Sequence, residues 1–327
     1  MGVLGRQEVT TAAVPARPTH HEPGSTNTSR KQRISAATKS LTPYGFVAPS
    51  FLFLLAFGIL PIVVAAVVSF TDLDITGLAN PDNISYIGLE NYRRLISDSD
   101  FWRSLQTTGI FIVFGVPSII VISLTIALGL SVSSSRLFRV LRMFYFLPAI
   151  TAIVAISLIW GFMYNTQFGL LNYLLTSIGS SPINWLSDPQ MAKVSVAIVA
   201  IWRATGLNII IFLAAIQSIP RDYYEAAAID GATGWASFRW ITFPLLRFAL
   251  LFVTVTTLIA WLQFFDEPFV LTDGGPVGAT TSISLFIYQE GFSFNRFGYA
   301  SAGTVVLFLI IVTVTAFQLR LYRSNHA

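Results

Sequence analysis

Six long apolar runs alternate with polar stretches along the chain, near residues 44–70, 104–131, 140–163, 192–217, 245–271 and 297–319. Each reaches the ~20 helical residues needed to cross a hydrocarbon core. The pattern predicts an all-α polytopic membrane protein with six transmembrane helices, its permeation domain spanning 43–323. Pro61, Pro117 and the scattered glycines predict kinks and close helix contacts, which are tolerated where neighbouring protein satisfies the freed backbone groups. The stretch from Ala12 to Lys39 is rich in Pro, Thr, Ser, His and basic residues, so residues 1–42 are expected to be a disordered tail. No apolar run closely follows a basic start, which argues against a secretory signal. Residues 324–327 form a short C-terminal end.

The charges of the connections set an orientation. Basic residues crowd the segment before the first run (Arg6, Arg17, Arg30, Lys31, Arg33, Lys39). They recur in the second connection (Arg136, Arg139, Arg142), in the fourth (Arg221, Arg239, Arg247) and after the last run (Arg320, Arg323). In the first connection Arg93, Arg94 and Arg103 are outweighed by Asp72, Asp74, Asp82, Glu90, Asp98 and Asp100. The positive-inside bias therefore predicts that both termini are cytoplasmic in a plasma-membrane protein. That first connection also carries Tyr86-Ile87-Gly88-Leu89-Glu90-Asn91-Tyr92 and Phe101-Trp102, an amphipathic element expected at the outer interface, either as an anchor or as a docking surface.

Composition agrees and narrows the chemistry. The chain is 54% hydrophobic and 11% charged, against ~25% charged in an ordinary soluble domain; its mean hydropathy is +0.67. There is no cysteine, and His20, His21 and His326 sit near the termini, so no disulfide, thiolate site or central histidine dyad is available. The pI near 9.4 reflects basic residues flanking apolar runs, so it points to membrane topology and not to nucleic acid. Lys31, Lys39 and Lys193 follow Arg30, Thr38 and Ala192, so none completes a Gly-x-x-x-x-Gly-Lys-Ser/Thr phosphate loop. With no metal or catalytic residues identified, the chain is not expected to be an enzyme.

One polar island, 218–243, stands between the fourth and fifth runs. Pro220 is expected at the first helical position, and Asp222 and Glu225 complement a helix start. Ala226, Ala227 and Ala228 favour helix, Gly231 stops it, and a second helix from Trp235 to Ile241 leads to Pro244 at the opening of the fifth run. The residues alone leave two readings, an ordinary re-entry loop or a socket for a partner.

Glu225-Ala226-Ala227, three residues, Gly231, nine residues, then Ile241-x-Phe243-Pro244 resembles the signature of binding-protein-dependent ABC importer permeases, with Phe243 where that family has leucine. Tyr86 to Tyr92, Leu147-Pro148, Trp160, Gly169-Leu170-Leu171-Asn172, Phe265-Asp266, Val270 to Pro276 and Tyr299-Ala300-Ser301-Ala302 are similar to the maltose-type carbohydrate branch, in particular the first of its two paired permeases. The resemblance implies a coupling helix that inserts into an ATP-binding subunit, with Glu225, Ala226, Ala227, Asp230, Gly231 and Pro244 at the ATPase contact. It also implies a second permease, two ABC ATPases that hold ATP and Mg, an external solute-binding protein and a sugar substrate. This chain itself would carry no cofactor. Glycerol phosphate or another polyol is an alternative substrate, and a secondary transporter is the competing class, although no inverted repeat supports it.

Polar groups within the runs are the functional candidates. Arg203 lies in the fourth run, and Asp266 in the fifth with Gln263 a turn earlier on the same face. Arg203 and Asp266 are expected to approach one another or share a wet cavity; alternatively, Arg203 caps backbone carbonyls at a kink. Asn208, Trp261, Gln263 and Asp266 offer the amide, aromatic and carboxylate groups that suit a sugar, with packing the competing role for Trp261.

Overall fold

In the computed structural model, which describes residues 46–133 and 135–324, every apolar run folds as helix. The expected N-terminal tail lies outside the described residues, as does the C-terminal end beyond Ser324. The chain divides into two units after Pro61. The first contains most of helix α1, Phe46–Val68, which carries a π turn over Leu55–Ile59 just before Pro61.

The second unit holds the remaining elements. After α1 come α2 (Ile75–Ala79), α3 (Glu90–Ser97) and the long α4 (Ser99–Ser131), which starts ahead of the expected span. Pro117 sits inside α4, which remains a single helix across it. Helices α5 (Arg136–Ile150) and α6 (Ile153–Met163) meet at 98°. The third apolar run is thus a bent pair and not one straight span. Then follow α7 (Leu170–Ser177), α8 (Pro189–Gln217), α9 (Arg221–Ile229), and α10 (Gly234–Leu245), which turns by 63° into α11 (Arg247–Leu262). Short helices α12 (Asp266–Thr272) and α13 (Ile283–Tyr288) precede α14 (Phe297–Ser324). Among the described residues four helices are long and apolar enough to span a membrane, or six if each bent pair counts as one span.

The fifth run departs most from expectation. It was expected to continue to 271, yet α11 ends at Leu262 and a new helix begins at Asp266. Pro268 is the reason. Proline has no N–H and its ring clashes with the carbonyl four residues earlier, so a continuous helix here would collide with Phe264. Within the first turn of a new helix the missing N–H costs nothing. The freed Phe264 carbonyl instead accepts a hydrogen bond from the hydroxyl of Ser282, which is fully buried.

Packing centres on α4 against α8, with α11 on α4 and α12 on α6 and α8. Phe111, Val116, Ile119, Val196, Ala200, Trp261 and Phe264 form one core cluster; Ala127, Leu130, Ile209, Phe212, Leu213 and Val253 form a second. In lipid, such contacts hold helices together by close van der Waals fit. Gly115 of α4 shows the requirement: a Cβ built there would overlap the Trp261 ring.

The first connection is less of a surface element than its aromatic content suggests. Asn91 is buried and donates to the carbonyls of Ser69 and Thr71 at 2.9 and 2.8 Å. Phe101 enters a core cluster with Leu95, Ile283, Phe286 and Leu307. Tyr86 and Trp102 remain exposed. Asn172 plays a similar organising role after α6, bonding Thr166, Ile183 and Trp185.

Candidate functional site

Helix α9 has no buried residue. Pro220 is its N-cap and not its first helical residue, a shift of one position from expectation. The C-terminal end is a complete Schellman motif: Ala232 N–H donates to the Ala227 carbonyl at 2.9 Å and Gly231 N–H to Ala228 at 3.1 Å. Gly231 has φ +77°, the left-handed conformation that a side chain disfavours. Beyond the turn, Thr233 caps α10 through the Ala236 N–H. The Tyr224 hydroxyl and Thr242 Oγ1, 2.9 Å apart, tie the two helices together. Helix α10 runs past Ile241 to Leu245, so Pro244 lies inside it and the turn into α11 falls at Leu246. Glu225, Ala226, Asp230, Gly231 and Pro244 are all exposed and Ala227 is half-buried. Ile229 is 87% exposed on the same helix, an apolar side chain left uncovered on a polar loop.

The second candidate lies among the spans. A cleft of about 400 Å³ is lined by Arg203, Asn208, Thr256, Thr257, Trp261, Phe264 and Glu267, among others. Arg203 Nε donates to Glu267 Oε1 at 2.7 Å, while its Nη2 stands 3.9 Å from Asp266 Oδ2. The expected approach of Arg203 to Asp266 is therefore present, but the tight partner is Glu267, which the sequence reading did not single out. The Glu267 side chain is 1% exposed and its Oε2 has no hydrogen-bond partner. Asn208 is buried and donates to the Ala204 carbonyl at 3.0 Å. Trp261 borders the cleft but is chiefly packed: it stacks on Phe264 with centroids 5.0 Å apart and rings 7° from parallel. Gln263 is exposed, lies outside the lining and does not share a helical face with Asp266, because the helix breaks between them. That break is also why Glu267 was missed. The available signal was Pro268, which places the next helix start at Asp266 and turns Glu267 inward.

Residues 97–325 match the family of binding-protein-dependent transport system inner membrane components. The chain belongs to this family. It is 38% identical over 278 residues to the lactose transport system permease protein of Rhizobium radiobacter, covering 84% of this chain and 91% of that one. It is 35% identical over 285 residues to the trehalose/maltose transport system permease protein of Thermococcus litoralis, covering 86% and 93%. Its fold matches a chain of the crystal structure of a bacterial alginate ABC transporter in complex with alginate pentasaccharide-bound periplasmic protein, with TM-score 0.76, 23% identity, and coverage of 89% and 97%. The chain is thus an all-α, multi-pass transmembrane permease subunit of an ABC importer.

Proposed function

We propose that the chain forms half of the translocation pore of an ATP-driven importer for sugars or oligosaccharides, with α9 as its coupling helix. The observation that carries the coupling role is an exposed, Schellman-capped helix with an uncovered Ile229, bearing the family's Glu-Ala-Ala and glycine signature at Glu225, Ala226, Ala227 and Gly231. The sugar assignment draws support from relatives whose names specify lactose and trehalose/maltose. Both termini lie in the cytoplasm, which places α9 on the same side as the ATPases. Two ATPase subunits hold ATP and Mg, a homologous second permease completes the pore, and an external binding protein delivers the sugar. No phosphate loop exists in this chain, so hydrolysis falls to the partner.

Mechanically, closure of the ATPases moves α9, and the Tyr224–Thr242 bond passes that motion to α10 and α11. Helix α11 itself lines the cleft, with Phe252, Thr256, Thr257, Ala260 and Trp261 along it. Motion at the coupling helix therefore reaches the substrate path along one continuous stretch of chain. Along that path Arg203 and Asn208 border the cleft directly, while Asp266 acts through Arg203. Reconstituting the chain with its second permease, ATPases and binding protein, and measuring ATP-dependent uptake of labelled lactose, trehalose and maltose, tests the reading. Uptake of at least one is expected. Transport in the absence of any ATPase would contradict it.

A further inference from the structure

The charges around the cleft do not balance. Arg203 and Glu267 are the charged residues of its lining, and Asp266 is the second carboxylate within ion-pair distance of the same guanidinium. One cation thus faces two consecutive carboxylates. The buried one, Glu267, is 1% exposed, and its second oxygen has no donor. Such a group is costly to keep unless it serves a purpose, because a buried carboxylate ordinarily satisfies both oxygens. Arg203 makes its one hydrogen bond, among the described residues, through Nε, so its Nη groups keep donor capacity beside the cleft.

We propose that Glu267 is a specificity-determining residue of the translocation path, leaving the Arg203 cluster one negative charge in surplus so that neutral polyhydroxyl substrates pass and anionic ones are rejected. The inference rests on the sugar-importer reading of the cleft. The remaining wall is apolar or neutral: Ala200, Leu207, Phe252, Thr256, Thr257 and Phe264. Nothing in it offsets the surplus. Hydroxyl groups suit the site because each both donates to a carboxylate and accepts from a guanidinium. A carboxylate or phosphate accepts from the guanidinium as well, but it has no hydrogen to donate to Glu267 and meets the excess negative charge. At about 6 Å and an effective dielectric of about 20, one unit charge corresponds to roughly a hundredfold in binding, less where water screens it.

The test is equilibrium binding to the assembled importer in detergent without its binding protein, so that the binding protein's selectivity does not contribute. Tritiated lactose, trehalose and maltose are the neutral probes, and lactobionate and maltobionate the acidic competitors. The wild type is expected to prefer the neutral sugars. Glu267→Gln keeps the shape and removes the surplus, and should narrow that preference by about tenfold. Asp266→Asn removes the same charge at a half-exposed position without disturbing the buried pair, and should narrow it less. This second variant decides the matter if Glu267→Gln does not assemble. An unchanged preference in the variants, or none in the wild type, overturns the proposal and leaves the sugar reading standing. A wild type that binds no neutral sugar overturns both.

Discussion

Helix α9 and the Arg203–Glu267 pair are both polar features of an apolar protein, but they are held in place in opposite ways. Helix α9 is specified locally: its cap, its alanines and its glycine stop lie within a dozen consecutive residues, and none of its residues is buried. The pair joins positions 64 residues apart and exists only because α12 starts afresh and packs on α8. The exposed helix can therefore be altered with little harm to the fold, whereas the buried pair cannot. That contrast suits their proposed roles. A surface gripped by a moving partner has to tolerate repeated making and breaking of contacts. A substrate path needs charges held in one place.

Substitutions in the two regions should differ in what they cost. The largest stability loss is expected for Glu267→Ala, which empties a fully buried position and leaves Arg203 only the more distant, half-exposed Asp266; losing the tight partner of a largely buried pair costs about 3 kcal/mol, readable as a lower unfolding temperature of the purified complex. Gly115→Ala should follow, since the added methyl meets the Trp261 ring; overpacking costs about 1–3 kcal/mol. Gly231→Ala places its methyl in open space but strains a residue at φ +77°, for about 1 kcal/mol, mostly as fraying of the α9 end seen by hydrogen exchange. Tyr224→Phe removes the link to Thr242 and should cost about 1 kcal/mol, with a disproportionate loss in transport per ATP hydrolysed. Glu225→Arg, at an exposed position, should change stability by no more than about 0.5 kcal/mol. If Glu225→Arg unfolds the protein as readily as Glu267→Ala, the contrast between the two regions fails.

The same contrast governs what could be read from the sequence. The number of apolar runs, the helix-turn-helix at 218–243 and the glycine stop at Gly231 were legible because each is encoded by adjacent residues through period, capping and backbone preference. Errors there were of one or a few residues, as at Pro220 and at the ends of α10. The cleft was legible only in outline. Arg203 and Asp266 were paired on the rarity of charge inside a span, yet the closest carboxylate is Glu267. Extending the fifth helix through Pro268 put Asp266 and Gln263 on one face and hid the break. The 98° bend at Thr151–Ala152 interrupts an apolar run whose period does not report it, and the packing of Trp261 against Gly115 joins positions far apart in the sequence.

If α9 is where the ATPase takes hold, the decisive measurement is the affinity of the purified ATPase subunit for the permease pair carrying Glu225→Arg, alongside the unfolding temperature of that pair. The complex is expected to be at least tenfold weaker, with the unfolding temperature unchanged within about 2 °C, as for other surface substitutions. Undiminished ATPase affinity in a folded variant would contradict that role of α9 and place the contact elsewhere on the chain.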